Sequence, residues 1–220
     1  MRIYITTSAS KETVPFNYQP MLTAAFHKWI GKNSIHDKTS LYSFSWLNGG
    51  RVVKNGIKID QSGHFFISAY EQEIIKSLIR GIQDDAFIGS GLYVQEIAIA
   101  PDLEDLNQQE RLFYSASPIL VKRSNENREI HYHFNDIQSD VLLTETLKYK
   151  LKMAGLQDEG VSVAFDRNYP AAKTKVIYYK SIGNKVNICP VLIKGTAEQI
   201  AFAWNVGIGN STGIGFGALK

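Results

Sequence analysis

The chain has 220 residues, 44% of them hydrophobic and 20% charged, with a formal net charge of +3. That length and apolar content support one large or two small cored domains and exclude a disordered chain. A single cysteine excludes an internal disulfide framework and a cysteine-rich zinc site. No apolar run approaches a membrane span, and the lone cysteine fits a reducing cytosol, so a cytoplasmic protein with no membrane partner is expected; no metal or other cofactor is expected either.

The chain opens on an alternating segment, Arg2 to Thr6, which reads as a strand. Leu22, Ala25, Phe26, Trp29 and Ile30 follow the i, i+3, i+4, i+7, i+8 template of an amphipathic helix, closed by Gly31. A polar loop, Lys32 to Ser40, leads to a strand over Leu41–Trp46, and another strand runs from His64 to Ser68. Ser68-Ala-Tyr-Glu71 has the spacing of a capping box for a helix that carries Ile74, Ile75, Leu78 and Ile79 and stops at Gly81. Leu92–Ile99 gives a further strand. The order is β-α-β-β-α-β, the ferredoxin-like arrangement.

The second half repeats the pattern. Ser117–Val121 and Ile130–Phe134 read as strands, and Asp136–Ala154 as a helix with Leu143, Leu147, Leu151 and Ala154 along one stripe and Gly155 as the stop. Val161–Phe165 is a strand; Lys175–Lys180 and Lys185–Cys189 form a hairpin across Ser-Ile-Gly-Asn. Thr196-Ala-Glu-Gln199 is a second capping box, opening a helix through Trp204, followed by a glycine loop and a terminal strand. The expected fold is therefore α+β: two tandem ferredoxin-like domains, 1–112 and 113–220, with a C-terminal glycine-rich loop.

Five histidines are present. At 100° per residue, His27 falls more than about 90° from the centre of its helix's apolar stripe, so it is not a core histidine. His36 lies in the loop just beyond. Two imidazoles at one corner with Lys38 beside them have the composition of a metal-independent RNA-cleaving site. One group takes the 2′-hydroxyl proton, another donates to the leaving 5′-oxygen, and a cation offsets phosphorane charge. The same composition fits solvent-exposed histidines. His131 and His133 share a strand face but lack a third ligand, and Cys189, in an apolar stretch before Pro190, reads as a buried inert thiol.

Residues 1–115 carry 11 Lys/Arg against 12 Asp/Glu, and residues 116–220 carry 13 against 9. Lys148 and Lys152 sit at i, i+4 on the second-half helix, with Lys150 on a different face. Lys175 and Lys180 punctuate the hairpin around Tyr178 and Tyr179. Such interleaving grips RNA by stacking and phosphate contact, or equally solubilises a sheet edge.

The end of the chain holds five glycines in eleven positions, Gly207-Ile-Gly-Asn-Ser-Thr-Gly-Ile-Gly-Phe-Gly217. Glycine loses the most backbone entropy on folding, so this clustering implies positive φ or close approach of another backbone or a phosphate. The glycines follow a helix, unlike those of a P-loop or a dinucleotide fingerprint, which precede one. Gly207-x-Gly209, five residues, then Gly215-x-Gly217 resembles the C-terminal motif of the CRISPR repeat-processing endoribonucleases of the RAMP (repeat-associated mysterious protein) superfamily. Val14-Pro-Phe-Asn-Tyr-Gln19, Leu41-Tyr-Ser-Phe-Ser45 and Ser117-Pro-Ile119 extend the resemblance over the whole chain.

The resemblance implies two ferredoxin-like domains and metal-free cleavage of repeat RNA in precursor CRISPR transcripts, leaving a 2′,3′-cyclic phosphate and a 5′-hydroxyl. It maps the family's catalytic loop histidine onto His36, a second catalytic position late in the first helix onto His27, and a lysine onto Lys38, with Tyr42 as a further candidate. Gly207, Gly209, Ser211, Thr212, Gly215 and Gly217, with Lys148, Lys152, Lys175 and Lys180, are the expected RNA contacts. The loop lacks the Lys or Arg that relatives often carry between the glycine pairs. Expected partners are CRISPR repeat RNA, subunits of an interference complex and a second copy in a homodimer. Alternatives are a catalytically silent RNA-binding subunit of such a complex and, from another class, a ferredoxin-like module binding a small anion through the glycine loop.

Overall fold

The computed structural model describes residues 1–31, 39–101, 103, 109–125 and 128–220. The first half runs β1 (Arg2–Thr7), α1 (Gln19–Ile30), β2 (Tyr42–Phe44), β3 (Arg51–Val53), β4 (Gly56–Lys58), β5 (Gly63–Ala69), α2 (Gln72–Asp84), β6 (Phe87–Gly89) and β7 (Leu92–Ile99). Its antiparallel sheet has the order β2-β5-β1-β7-β6, with Tyr4 opposite Phe66 and Ala98. Alternation along β1 decides which face is which. Ile3 and Ile5 are fully buried with Phe26, Trp29, Ile75 and Leu78 of the two helices, while Tyr4 points to the other side and is 48% exposed.

The helical reading of 22–30 holds, and Gly31 caps α1 at φ +67. Two neighbouring expectations do not. Ser68 is not a helix cap: β5 continues to Ala69, and the Ser68 hydroxyl donates to Asn205 Oδ1 instead. Glu71 is the N-cap residue of α2, with no side-chain cap bond. Gly81 does not end α2, which runs on to Asp84. A Cβ at Gly81 would lie 2.1 Å from the Trp29 carbonyl oxygen, so this glycine lets α2 cross α1 at backbone contact.

The second half runs β8 (Glu110–Phe113), β9 (Lys122–Asn125), β10 (Arg128–His131), α3 (Gln138–Met153), β11 (Ser162–Phe165), β12 (Lys173–Tyr179), β13 (Ile182–Ile188), β14 (Val191–Lys194) and α4 (Ala197–Val206). Its sheet, β11-β14-β8, is antiparallel and covers a core of Leu143, Leu147, Leu151, Val163, Ile193 and Phe202. The chain end pairs beside β8, with Tyr114 and Lys220 exchanging both backbone hydrogen bonds. The strand expected over Ser117–Val121 is reduced to isolated bridges, Ile119 to Asn187 and Leu120 to Asn210. Pro118 has no N–H for a ladder, and its carbonyl is taken by Gly217 N. The hairpin turn lies at Lys180–Ser181 rather than across Ser-Ile-Gly-Asn, because Tyr179 pairs with Ile182; Lys180 takes φ +54 there. The Thr196/Gln199 capping box forms with both reciprocal bonds.

The fold is thus two ferredoxin-like α+β units in tandem. Asn205 of α4 ties them together: its side-chain carbonyl accepts from Ser68 Oγ and the Met1 amino group, and its backbone carbonyl accepts from Ser43 Oγ. Arg2 completes the seam. Its guanidinium lies between the Phe66 and Trp204 rings, at 3.9 and 3.6 Å, and donates to the Trp204 carbonyl. Burial there lowers its pKa to about 10.

Candidate active site

His27 sits in the last turn of α1, half-buried, with its ring edge-on to Phe26 at 5.3 Å. Phe26 is core on its other side, stacking on Tyr42 at 4.4 Å. The α1 stripe therefore pins the helix through Phe26 and leaves the next residue, His27, at the rim. His36 and Lys38 lie outside the described residues. Tyr42 lies beside this helix end, against Phe26, and Ser40 and Tyr42 lie under the glycine loop.

Tyr42 is buried, and desolvation raises its phenol pKa, partly offset by a hydrogen bond with the Ser40 side chain. A phenol in that state stays protonated and keeps its O–H available to donate.

The glycine loop comes to this corner. Its 3₁₀ turn, Thr212–Ile214, packs on β2 and α1. A Cβ at Gly213 would lie 2.3 Å from Ser40 Oγ and 2.9 Å from the Tyr42 hydroxyl. One at Gly215 would lie 2.9 Å from the Phe44 ring, and one at Gly207 3.0 Å from Ser43 Cβ. Four of the five glycines, Gly207, Gly209, Gly215 and Gly217, have φ between +67 and +91. All five are buried, as is Thr212, whereas Ser211 is half-exposed. The bare backbone thus serves torsion and close approach to the other unit. Behind the loop, Phe216 and Leu120 join Val186, Ile177 and Tyr179 of the β12–β13 hairpin in a small core.

The expected basic contacts are spread over the second unit. Lys175 and Lys180 are exposed on the hairpin, next to Tyr178 at 57% exposure. Lys152 is exposed and pairs with Asp158 at 3.3 Å, and Lys148 is half-buried. Lys150, between them in sequence, is fully buried.

A cleft of about 390 Å³ lies between the units on the sheet face away from α1, lined by Tyr4, Trp46, His64, Phe66, Pro118 and Lys220. The Trp46 indole N–H has no hydrogen-bond partner among the described residues. Sequence reasoning missed this cleft. Its signal was Tyr4, an aromatic on the polar phase of an alternating strand. The His64 imidazole lies 3.2 Å from Ser62 Oγ. His131 is a packing residue: its Nδ1 accepts from Lys185 N, and burial lowers its pKa. The Cys189 thiol is buried, donates to the Asp166 carbonyl and is pushed up to about 11, as an inert thiol should be. No helix among the described residues is long and apolar enough to cross a membrane.

The family described as "CRISPR associated protein Cas6, C-terminal" matches residues 101–220, which include the whole glycine loop. The chain belongs to the Cas6 family. Three solved structures carry the likeness over its full length. One titled "CRISPR associated protein Cas6" superposes with a TM-score of 0.82 at 21% identity, covering 100% of this chain and 98% of that one. A Cas6-related gene product from Pyrococcus furiosus gives 0.84 at 21%, covering 100% and 97%. A RAMP protein titled as binding different RNA substrates gives 0.83 at 20%, covering 100% and 98%. No curated protein matches the chain by sequence. At these identities the structures establish the tandem fold of a Cas6 protein, and the chemistry rests on this chain's own residues.

Proposed function

We propose that this Cas6-family chain is a metal-independent endoribonuclease that cuts the repeat RNA of CRISPR precursor transcripts. The 2′-oxygen of the scissile nucleotide attacks the adjacent phosphorus as a base removes its proton. The bond to the 5′-oxygen breaks as an acid protonates it. A 2′,3′-cyclic phosphate and a 5′-hydroxyl result, with no net water consumed. His36 is the principal proton-transfer group, His27 its partner, and Lys38 the cation that offsets phosphorane charge. Tyr42 can donate a hydrogen bond but, buried and protonated, does not serve as the base.

The observation that carries this reading is the seating of the glycine loop on Ser40 and Tyr42, beside the helix end that bears His27. In it, residues 1–112 carry the chemistry, and residues 113–220 supply the loop that braces it and the hairpin lysines Lys175 and Lys180. Those lysines, with Lys148, Lys152 and Ser211, take phosphates of the RNA, while the cleft at Tyr4 and Trp46 offers aromatic faces for bases. Burial gives Thr212 and the five glycines a packing share in this surface. A repeat transcript incubated with the protein and EDTA tests the reading. We expect one cut ending in a cyclic phosphate. Binding without cutting would instead make the chain a silent RNA-binding subunit of an interference complex.

A further inference from the structure

Lys150 is a buried charged residue in the middle of α3. Its flanking lysines reach solvent, yet it is 3% exposed and none of its three polar contacts is a carboxylate. Nζ lies 3.3 Å from the Val206 carbonyl, 3.2 Å from the Gly207 carbonyl and 3.0 Å from Thr212 Oγ1. The two carbonyls are the unsatisfied end of α4, where a cation or a strong donor is favoured. The hydroxyl belongs to the glycine loop. Lys150 therefore ties α3, the end of α4 and the loop's 3₁₀ turn to a single atom.

The contact set works in either protonation state. As an ammonium, Nζ donates to both carbonyls and to Thr212 Oγ1. As an amine, it donates to the carbonyls and accepts from the Thr212 hydroxyl, whose hydrogen is free to rotate. Burial lowers the Lys150 pKa to about 7, so both forms are populated near neutrality. A threonine at 212 keeps the tie intact through that change; an aliphatic residue could not.

From Thr212 the connection continues directly. Gly213, the next residue, packs against Ser40 Oγ and the Tyr42 hydroxyl, and Ser40 lies four positions after His36 in sequence, at the end of the polar loop. We propose that Lys150 is a positioning residue for RNA cleavage: by holding Thr212, it keeps the glycine loop seated on Ser40 and Tyr42 and thereby fixes the base of the His27/His36 corner. This inference rests on the endoribonuclease reading above. It assigns Lys150 no contact with RNA, since its amine is enclosed by protein.

Single-turnover cleavage of a transcript of the host's CRISPR repeat, at saturating protein and well below the melting temperature, tests it. Misplacing a catalytic group by about 1 Å costs roughly 100-fold in rate. Lys150→Met is therefore expected to slow cleavage by about 10- to 100-fold with RNA affinity within about two-fold of wild type. Thr212→Val is expected to show the same split, and Thr212→Ser, which restores a hydroxyl, to recover most of the loss. Should Lys150→Met fail to fold, the Val/Ser pair at 212 decides the matter. A folded Lys150→Met that cuts at the wild-type rate overturns the inference alone. So does a slowdown explained wholly by lost RNA affinity, or a Thr212→Ser no better than Thr212→Val. A wild-type chain that binds repeat RNA and never cuts it overturns the endoribonuclease reading, and this inference falls with it.

Discussion

Two helices of this protein end on the same glycine geometry and use it differently. Gly31 closes α1 at φ +67 and ψ −161; Gly207 closes α4 at φ +69 and ψ 173. A Cβ on Gly31 would meet none of the described atoms within 4 Å. One on Gly207 would lie 2.6 Å from the Gly217 carbonyl oxygen. Among the described residues, the first glycine is needed for its torsion and not for space. The second is needed for torsion and space together, and it holds a closed loop against the first unit. In the endoribonuclease reading proposed above, the first helix end belongs to the reacting groups and the second to their support.

Substitution at the two caps is the first way to break this contrast. Both torsions lie in a region occupied almost only by glycine, where another residue costs about 1–3 kcal/mol. Gly207→Ala adds a steric clash with the Gly217 backbone, so we expect a loss of about 3–5 kcal/mol in urea unfolding. Equal losses for Gly207→Ala and Gly31→Ala would erase the distinction.

Lys150 sharpens the supporting side. Its pKa is about 7 when folded against 10.5 ordinarily. Between those values the unfolded chain holds a proton that the folded chain lacks, so stability rises with pH across that window and the penalty is full below it. The contribution is a few kcal/mol, at about 1.4 kcal/mol per pKa unit. Urea midpoints of wild type should therefore climb relative to those of Lys150→Met from about pH 7 upward; parallel curves would contradict the buried-lysine account.

On the open side, Gly31→Ala should cost only the torsional term, about 1–3 kcal/mol, and leave the seam at Asn205 unaltered. The smallest effect is expected on the hairpin. Each of Lys175→Ala and Lys180→Ala should reduce the slope of log affinity against log salt for repeat RNA by about 0.7–0.9, as loss of one phosphate contact does. No change in slope would remove the hairpin from the RNA surface.

The two ends were unequally legible in sequence. The apolar stripe of α1 and its glycine stop were plain, as was His27 off the stripe, because helical periodicity reports burial directly. Thr196 and Gln199 announced α4 and both capping bonds formed. Local pattern misled where a partner distant in sequence decided the outcome. Ser68 and Glu71 have capping-box spacing, yet pairing with β1 keeps Ser68 in a strand. Gly81 reads as a stop, yet Trp29 requires it inside α2. The terminal glycines signalled that something must approach closely; that it is Ser40, Tyr42 and Phe44 depends on a contact across most of the chain. Lys150 did carry a signal, its place seven residues after Leu143 and three after Leu147 on the apolar stripe of α3, but a lysine there is easily passed over as solvated surface. Short strands such as β3, β4 and β14 carry too few residues for alternation to show.

The central claim is that the open corner performs the chemistry, and cleavage by the double variant His27→Ala/His36→Ala tests it most directly. With repeat RNA, EDTA and saturating protein, the account predicts a rate at least about 100-fold below wild type, with RNA still bound and the wild-type product ending in a 2′,3′-cyclic phosphate. Cleavage by the double variant at close to the wild-type rate would contradict it.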